Sequence, residues 1–525
     1  MSRSHRCRRF SADVVAGCVG LALSVIDARP VFAQSGGRET ATPCESIASL
    51  ALPNTRVTVA VPVAAGAFVA PAPPPFPMPT DFSRMPAFCR VAATIAPVPE
   101  SEIKIEVWLP AAGWNGKFVG IGNGGMSGAI WYFAMAEPLS LGYAVASTNT
   151  GHDGGQADSR FAVGQPEKLT DFSWRAVNEM TVKAKAIIIA HYGRAARYSY
   201  WVGCSAGGRQ GVVEAQRFPA DYDGISAGAP AYNMVPLMAF AAKAQGFMTD
   251  RSLGLGLPQL NLIKAAAIAA CDARDGVTDR VVEDPRTCAF DPGTLLCADG
   301  NTTNCLTTQQ VAAVRSLYEG VKNSRTGATL MPGPAPGGEP AWNLMRPGVF
   351  PIGGNFFRQF VMRDSTWTPS MMDVDRDVMR AIAEDVAGLT VVEADLSGYF
   401  ARGGKLLLWH GWTDALISAH STIDYHQRVM ASSGSGARNG MRLFMLPGVD
   451  HCNGGEGTFV VDVLGVIDAW VTSGQAPDRI VAQRPLPGST PRTRPLCAYP
   501  QVARYRGQGS TDEERNFACA APGAR

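Results

Sequence analysis

Two serines of this chain lie in the pattern Gly-x-Ser-x-Gly, which can hold a nucleophile at a sharp turn between a strand and a helix. The stretch "VGCSAGGRQGVVEAQRFPADYDGISAGAP" contains Ser205 in the first copy and Ser226 in the second. Ser205 follows the strand-like "YSYWVGC" and precedes the helix-like "GGRQGVVEAQRF", so free N–H groups of that helix would face the anion formed in the reaction. Ser226 lies in a strand that runs into Ala229 and Pro230, with no helix behind it. The pattern therefore predicts Ser205 as the nucleophile.

A serine nucleophile at such a turn needs an acid and then a histidine later in the chain. His451 follows the strand-like "RLFMLPG", at the sheet edge where ligands collect, and Asp414 follows the strand-like "KLLLWHG". Asp450 is adjacent to His451, and neighbouring side chains diverge in an extended segment. His410 precedes the acid and is out of order, so we interpret it and His152 as structural histidines. Asp414 and His451 complete the predicted triad.

Cysteines flank two members of this triad. Cys204 directly precedes Ser205, and Cys452 directly follows His451. If the serine and the histidine are within hydrogen-bond reach, the two sulfur atoms come within the range of a disulfide. Such a bond closes a loop of about 250 residues and contributes on the order of 5 kcal/mol in the chain-entropy model. Two unrelated buried thiols would not explain why both flank triad residues.

The N-terminus has the pattern of an export signal. Arginines at positions 3, 6, 8 and 9 precede an apolar run from Val14 to Ile26, and a small-residue cleavage site follows at Ala33. The run is short and contains glycine, which favours a cleaved signal at 1–33 over a membrane anchor. We therefore expect a secreted or periplasmic protein without a membrane span. Ten of the 12 cysteines remain after cleavage and form no Cys-x-x-Cys pair, which favours disulfides over a zinc site.

Composition and element order set the fold class. The 525 residues carry a net charge of only +2, which excludes nucleic acid and charged membrane surfaces as expected partners. Strand-like and helix-like segments alternate up to about residue 233 and again from 403, which predicts a mainly parallel sheet with helices on its faces. Between 234 and 395 the alternation stops, and cysteines, an acidic loop and many aromatic residues predict an inserted cap. The polar tail is predicted to be irregular.

Several motifs together resemble the tannase and feruloyl esterase family. They are "GCSAGGRQG", "DYDGISAGAPA", "HGWTD" and "DHCNGG", and the resemblance continues through "GKFVGIGNGGMSG" and "SWRAVNEMTVKAKA" into the cap. The resemblance implies an α/β-hydrolase core at 34–233 and 396–525, a lid domain at 234–395, and a serine esterase with the triad predicted above. It also implies five disulfides, namely Cys44–Cys89, Cys204–Cys452, Cys271–Cys288, Cys297–Cys305 and Cys497–Cys519.

The lid contains the acidic stretch "CDARDGVTDRVVED". Its carboxylates at Asp272, Asp275 and Asp279 are dense enough for a hard cation with oxygen ligands, and the residues alone fit a solvated acidic turn equally well. The resemblance implies a structural calcium ion, bound by these three side chains and by the carbonyls of Val277 and Val281.

The developing oxyanion needs two N–H donors. We predict the N–H of Ala206 as one, and an N–H of the "GNGG" loop as the other, from Gly125 with Gly124 as the alternative.

The lid stretch "WNLMRPGVFPIGGNFFRQFVMRDSTW" bears on the substrate. Its aromatic rings are suited to stack on a phenolic or terephthalic acyl group, and an arginine is suited to pair with a free carboxylate. The same rings would also serve as the lid's own core, and the sequence leaves both interpretations open. The residues concerned are Trp342, Phe356, Phe357, Arg358 and Phe360.

We predict a secreted carboxylic ester hydrolase, a monomer or weak homodimer, acting on small esters of aromatic acids. The family contains hydroxycinnamate, gallate and terephthalate monoester specialists, and the sequence does not select among them. An acyltransferase with the same triad is one alternative. A calcium-dependent carbohydrate-binding protein without activity is another, disfavoured by the intact triad.

Overall fold

The computed structural model of the protein describes residues 42–71, 81–298, 303–391 and 393–523, and the predicted export signal lies outside these ranges. The strands within them are β1 (Thr55–Val63), β2 (Phe88–Ile95), β3 (Ile103–Pro110), β4 (Lys117–Ile121), β5 (Ala144–Thr148), β6 (Tyr198–Cys204), β7 (Gly224–Gly228), β8 (Val321–Lys322), β9 (Thr329–Met331), β10 (Lys405–Gly411), β11 (Met441–Leu446), β12 (Arg479–Arg484), β13 (Arg492–Cys497), β14 (Val502–Tyr505) and β15 (Phe517–Ala520). The α-helices are α1 (Tyr132–Ser140), α2 (Pro166–Thr170), α3 (Ala176–Tyr192), α4 (Ala206–Arg217), α5 (Met234–Thr249), α6 (Leu257–Cys271), α7 (Thr308–Glu319), α8 (Ile352–Asn355), α9 (Val374–Glu384), α10 (Ser397–Ala401), α11 (Ala419–Ser432), α12 (Gly434–Gly440) and α13 (Val463–Ser473).

A central sheet of nine strands has the order β1-β2-β3-β5-β4-β6-β7-β10-β11. The pairs from β1 to β5 at one edge are antiparallel, and all pairs from β5 to β11 are parallel. Parallel strands point their carboxyl ends to one edge of the sheet, where loops that follow β4, β6, β10 and β11 can meet. The predicted α/β-hydrolase core is confirmed in this sheet.

Helices cover both faces of the sheet, because its central strands are apolar on both sides. Adjacent residues of β6 point to opposite faces, so Trp201 belongs to one hydrophobic cluster and Tyr200 to another. The first cluster includes residues of α3, α4 and α11, and the second includes residues of α1 and α13. The parallel sheet is thus a middle layer between two layers of helices. Residues in the loops at the carboxyl ends of its strands remain available for chemistry.

The predicted lid, 234–395, falls between β7 and β10, and its first residue is also the first residue of α5. This inserted segment contains α5 to α9 and the small β8–β9 hairpin. It forms its own hydrophobic cluster, which also takes in Met126, Leu169 and Phe172 from outside the segment. The described residues belong to a single compact unit, so the inserted segment and the sheet share one packed interior.

Two sequence-based expectations differ from the structure. Helical spacing in the sequence from Thr170 and Asp171 to Gly193 predicts one helix that begins there. In the structure the helical backbone begins earlier, at Pro166 in α2, and continues through a π-helical turn over Asp171–Arg175 into α3, which begins at Ala176. Asp171 therefore has helical backbone angles and is not an N-cap, and its carboxylate accepts from Arg175 and Ser101. At the other end, Gly193 terminates α3 in the left-handed conformation, with a φ of 70°.

The C-terminal tail, predicted to be irregular, forms two antiparallel hairpins, β12–β13 and β14–β15. Their strands are short and rich in arginine, so the alternation of Ile480 and Ala482 with exposed neighbours is too brief to recognise in the sequence. The Cys497–Cys519 disulfide joins the two hairpins. Among the described residues, no helix has the length and apolar composition needed to cross a bilayer.

One carboxyl group in α4 is buried without a hydrogen bond. Glu214 is 1% exposed, and neither of its carboxylate oxygens has a hydrogen-bond partner among the described residues. Burial raises the pKa of Glu214 well above its ordinary value, the charge of Asp221 adds to this, and Lys185 opposes it. The folded protein therefore holds a proton that the unfolded chain releases above pH of about 4.3, and stability falls as the pH rises from there toward the raised pKa.

We predict that Glu214→Gln stabilises the protein at pH 8, by on the order of 2 kcal/mol, because a neutral amide replaces an acid that must stay protonated or bury a charge. The measurement is thermal unfolding of both proteins at pH 5 and pH 8. The gain should be larger at pH 8 than at pH 5. Glu137→Gln, at an exposed position of α1, is the matched control and should show no such pH dependence. An equal effect of Glu214→Gln at both pH values would contradict the argument.

Candidate active site

The turn between β6 and α4 holds Ser205 in a strained backbone conformation. Its φ is 64° and its ψ is −123°, and a positive φ is unfavourable for a residue with a side chain. The Ser205 N–H donates to the carbonyl of Gly228 at 2.9 Å, and the Ser205 carbonyl accepts from Arg209 at 3.0 Å. A Cβ atom at Gly203 would lie 2.5 Å from the carbonyl group of Gly207. The glycines permit the sharp turn, and the flanking hydrogen bonds hold it.

The second Gly-x-Ser-x-Gly copy lies inside the sheet. Ser226 is in the middle of β7 and is fully buried, with its hydroxyl accepting from the Trp409 indole N–H at 3.1 Å. This serine therefore has a structural role.

Asp414 and His451 are hydrogen-bonded to one another. His451 Nδ1 lies 2.6 Å from Asp414 Oδ2, and the other carboxylate oxygen accepts from the N–H groups of Leu416 and Ile417 at 2.9 Å each. Because the carboxylate accepts, Nδ1 carries the proton, and Nε2 of the neutral ring is left as the acceptor. The Asp414 side chain is fully buried, whereas that of His451 is 20% exposed. The pair thus leaves one unprotonated nitrogen on a ring that is partly exposed to solvent.

The Asp414 carboxylate is held in its ionised form. Burial alone would raise the pKa of Asp414, but the charge of His451 and hydrogen bonds from His410 and His451 lower it below its ordinary value. Asp450, the other acid near this histidine, instead accepts from the Thr413 hydroxyl at 2.8 Å, and burial raises its pKa. Only Asp414 of these two acids is hydrogen-bonded to the His451 ring in the part of the chain that the structure describes.

A disulfide between Cys204 and Cys452 links the turn to the histidine loop. Their Cα atoms are 6.0 Å apart although 248 positions separate them in the chain. Since successive Cα atoms are 3.8 Å apart, those of Ser205 and His451 are at most about 14 Å apart. The structure contains all five disulfides that the resemblance implied, the other four being Cys44–Cys89, Cys271–Cys288, Cys297–Cys305 and Cys497–Cys519.

The glycine loop after β4 packs against the start of α4. A Cβ atom at Gly122 would lie 2.6 Å from the Cα atom of Gly207, so the two backbones are in direct contact. Gly125 has a φ of 57°, and a Cβ atom there would lie 2.5 Å from the carbonyl oxygen of Gln156. Ala206 is the first residue of α4, and its N–H has no partner within the helix. The two predicted oxyanion donors therefore belong to neighbouring backbone segments.

Two amide side chains fix this loop to α4. The Asn123 N–H donates to Gln210 Oε1 at 3.0 Å, and Gln210 Nε2 donates to Asn123 Oδ1 at 3.1 Å. The Asn123 amide also donates to the carbonyl of Thr148 at 2.8 Å. Sequence reasoning missed this pair. Gln210 lies five residues after Ser205 in α4, but its partner is 87 positions away in the chain, so the sequence contains no local signal for the pair.

Four of the five residues predicted to bind calcium line one cavity. Asp275, Val277, Asp279 and Val281 line it, together with Glu283. No three His, Cys, Asp or Glu side chains of the described ranges converge as a metal cluster, so main-chain carbonyls would have to complete the ligand set. A mixed set of carboxylate and carbonyl oxygens is what calcium prefers, and the lining residues fit this ion.

Asp272, the remaining predicted ligand, does not line this cavity. Its carboxylate accepts from the N–H groups of Asp279 at 3.3 Å and Arg280 at 3.0 Å, and so braces the loop. Asp279 also accepts from Arg494 in the tail at 2.7 Å. The loop is thus joined to the tail by an ion pair beside the cavity.

The aromatic residues predicted to contact substrate lie inside the inserted segment. Trp342, Phe356, Phe357 and Phe360 are each at most 2% exposed and belong to the hydrophobic cluster of that segment. Arg358 is half-buried, and its guanidinium donates to Asn355 Oδ1 at 2.6 Å. The structure does not bring these rings to the His451 pair by any contact, and their burial favours the interpretation that they form the segment's core.

Comparisons with known proteins agree with this architecture. A family model described as tannase and feruloyl esterase matches residues 89–520. The chain is 36% identical to an uncharacterized esterase of Xanthomonas campestris pv. campestris, with 91% of each chain covered. It is 34% identical to mono(2-hydroxyethyl) terephthalate hydrolase of Piscinibacter sakaiensis, over 85% of this chain and 87% of that one.

The fold is also similar to a solved structure. The crystal structure of feruloyl esterase B from Aspergillus oryzae superposes with a TM-score of 0.83 at 31% identity, and covers 91% of this chain and 99% of that one. The family predicted from the sequence motifs is confirmed, and the chain belongs to the tannase and feruloyl esterase family of carboxylic ester hydrolases.

Proposed function

We propose that this protein is an exported serine esterase that hydrolyses esters of aromatic acids through an acyl-enzyme on Ser205. The observation that carries the proposal is the hydrogen bond from His451 to the buried, ionised Asp414, in a loop that a disulfide ties to the Ser205 turn. A base oriented in this way, on a loop that a disulfide tethers to a serine on a strained turn, is an arrangement suited to acyl transfer. The five disulfides favour an oxidising compartment.

The proposed reaction has two proton transfers in each half. His451 Nε2 takes the hydroxyl proton as Ser205 Oγ attacks the ester carbonyl, and the same nitrogen returns it to the departing alcohol. Water then gives a proton to His451 as its oxygen attacks the acyl-enzyme, and the acid leaves as Ser205 regains the proton. Asp414 stays ionised throughout and stabilises the imidazolium.

The oxyanion formed in each half is proposed to accept from the N–H groups of Ala206 and Gly125. The Ala206 N–H belongs to the first turn of α4, where the helix dipole favours negative charge. The Gly125 N–H belongs to a loop that Asn123 and Gln210 fix to the same helix. Donors that are fixed before reaction need no reorganisation as charge develops, which makes such a pair effective.

The substrate class follows from the relatives. Feruloyl esterase B and a terephthalate monoester hydrolase are both at least 31% identical to this chain, and each name describes an ester of an aromatic acid. We propose hydroxycinnamate esters as the substrate class, with terephthalate monoesters as the second. Transfer to an alcohol instead of water would make the protein an acyltransferase, and product analysis with excess alcohol distinguishes the two.

We also propose that a calcium ion binds at Asp275, Asp279 and the carbonyls of Val277 and Val281, with Asp272 bracing the loop. The ion would supply charge that gathers these oxygens and would take no part in the chemistry. Arg492 and Arg494 of the tail also line the cavity, so a bound ion would share the Asp279 carboxylate with the Arg494 guanidinium.

We predict that Ser205→Ala lowers kcat/KM for methyl ferulate by about 10⁵-fold, because the acyl-enzyme can no longer form. Ser226→Ala is the matched control from the second Gly-x-Ser-x-Gly copy and should retain activity. The panel is methyl ferulate, methyl gallate and mono(2-hydroxyethyl) terephthalate, and methyl ferulate, the hydroxycinnamate ester, is expected to be preferred. Equal and poor hydrolysis of all three by the wild type would show that the aromatic-acid assignment is wrong.

Gln210→Leu is predicted to lower kcat about tenfold with little change in KM, since it frees the loop that carries the Gly125 donor. Steady-state kinetics on the preferred ester measure this split. Gln216→Leu changes another glutamine of α4, one that contacts Glu393 at the surface, and should leave kcat unchanged. A rise in KM at constant kcat would instead assign Gln210 to ground-state substrate binding.

Calcium should raise the melting temperature of the chelator-treated wild-type protein, because an ion at 100 times its Kd stabilises by about 2.7 kcal/mol. Asp275→Asn should abolish most of this shift, whereas Asp291→Asn, in an exposed turn of the same segment, should retain it. The measurement is thermal unfolding with and without calcium, using magnesium as a comparison. No shift in the wild type would refute the calcium proposal without affecting the esterase assignment.

A further inference from the structure

Two imidazole rings meet on one carboxylate oxygen in this site. Asp414 Oδ2 lies 2.6 Å from Nδ1 of His451 and 3.0 Å from Nε2 of His410. His410 is the penultimate residue of β10 and its side chain is fully buried. A histidine that chain order excludes from the triad is therefore in direct contact with the acid of that triad.

The partners of His410 determine where its ring carries a proton. Nε2 lies 3.0 Å from Asp414 Oδ2 and also 3.0 Å from the carbonyl oxygen of Ile417. Both atoms are acceptors, so Nε2 must carry the hydrogen. Nδ1 lies 2.7 Å from Oγ1 of the buried Thr422 in α11, whose hydroxyl donates to it when the ring is neutral. Every polar atom of the ring is thus used.

The Asp414 carboxylate is surrounded by four donors. Two backbone N–H groups satisfy Oδ1, and the two histidine rings satisfy Oδ2. Since His410 donates to the oxygen that also faces His451, it fixes that oxygen in place and withdraws electron density from it. Because Oδ2 is shared between two donors, less of its acceptor capacity is available to the His451 ring than if His410 were absent, and loss of His410 is expected to change the pH dependence of the reaction.

We propose that His410 is a positioning residue of the esterase site, which orients Asp414 toward His451 and thereby affects the pH dependence of the reaction. The proposal rests on the proposed function of Ser205, Asp414 and His451. His410 acts through Asp414 and touches neither the substrate nor the serine in this role. The chemistry it contributes is one N–H donated to the acid that orients the base.

Other ionisable groups near this pair come from four elements. His420, at the start of α11, interacts with His410, and burial lowers its pKa. Asp450, beside the His451 loop, interacts with Asp414, and Lys264 of α6 and Glu456 in turn interact with Asp450. The Arg286–Asp284 ion pair interacts with His420. None of these groups is hydrogen-bonded to Asp414 within the described ranges. The effect on the pH dependence of the reaction is therefore assigned to His410.

The test compares His410→Phe, which removes the N–H, with His410→Gln, whose amide can place a donor near the position of Nε2. The measurement is kcat/KM between pH 4.5 and pH 9 on a soluble nitrophenyl ester. His410→Phe is expected to lower kcat about 10- to 100-fold with little change in KM. It is also expected to shift the acidic limb of the plot of kcat/KM against pH to higher pH, by about 0.5 pH unit or more. His410→Gln is expected to restore most of the rate and the position of that limb.

Two further variants keep the test decisive. Thr422→Val removes the hydroxyl that fixes Nδ1 and should shift the acidic limb in the same direction as His410→Phe, by less. His426→Phe alters another partly buried histidine of α11 outside the site, and should leave the limb in place whatever its effect on the melting temperature. If His410→Phe fails to fold, His410→Gln and Thr422→Val carry the comparison.

Several outcomes would overturn the proposal. They are a folded His410→Phe with wild-type rate and limb, equal impairment by His410→Phe and His410→Gln, or an unmoved limb in Thr422→Val. These are distinct from failure of the proposed function, which would appear as a wild type without esterase activity or as Ser205→Ala that retains it.

Discussion

The covalent bond between Cys204 and Cys452 joins two loops that the fold otherwise only brings to the same edge of the sheet. The backbone has an unfavourable conformation in both loops. Ser205, next to Cys204, has a φ of 64°, and Cys452 also has a φ of 64°. Positive φ values at residues with side chains are unfavourable, and they persist only where the surroundings hold them. The disulfide and the hydrogen bonds to Ser205 provide that restraint. The serine turn and the histidine loop are therefore fixed relative to one another before any substrate binds.

A second set of contacts connects the inserted segment to the glycine loop. The Met126 N–H donates to the carbonyl of Gln156 at 2.8 Å, directly beside Gly125. One residue further on, the Ala157 carbonyl accepts from the side chain of Asn355 at 2.8 Å, and Ser159 N–H donates to Gln359 at 2.9 Å. Asn355 and Gln359 belong to the helical stretch 352–361 of the inserted segment. The inserted segment is thus coupled to the loop of the predicted oxyanion donor through one short stretch, residues 156–159.

Much of the core could be predicted because its signals are local. The strand before Ser205 and the helix after it are both readable in the sequence, and Ser226 could be set aside because a proline follows its strand. The role of His410 could not be found in this way, because chain order identifies the triad and gives no information on what else touches its acid. The Asn123–Gln210 pair joins residues 87 positions apart, so no local pattern predicts it. The hairpins of the tail depend on pairing with distant strands, which a short and charged sequence does not specify.

The aromatic residues of the inserted segment are a second case in which the sequence does not determine the role of a side chain. Composition correctly indicates that the inserted segment is rich in rings, but burial decides which rings can meet a ligand, and burial follows from tertiary packing. Phe356 and Phe357 are fully enclosed in that segment's core, and Phe357 stacks on Trp367 with centroids 5.6 Å apart. By contrast, half-buried Trp131 comes from the sheet domain, and its ring would lie 2.5 Å from a Cβ atom at Gly124. A ring that borders the glycine loop therefore comes from the core, next to α1, in a part of the chain outside the inserted segment.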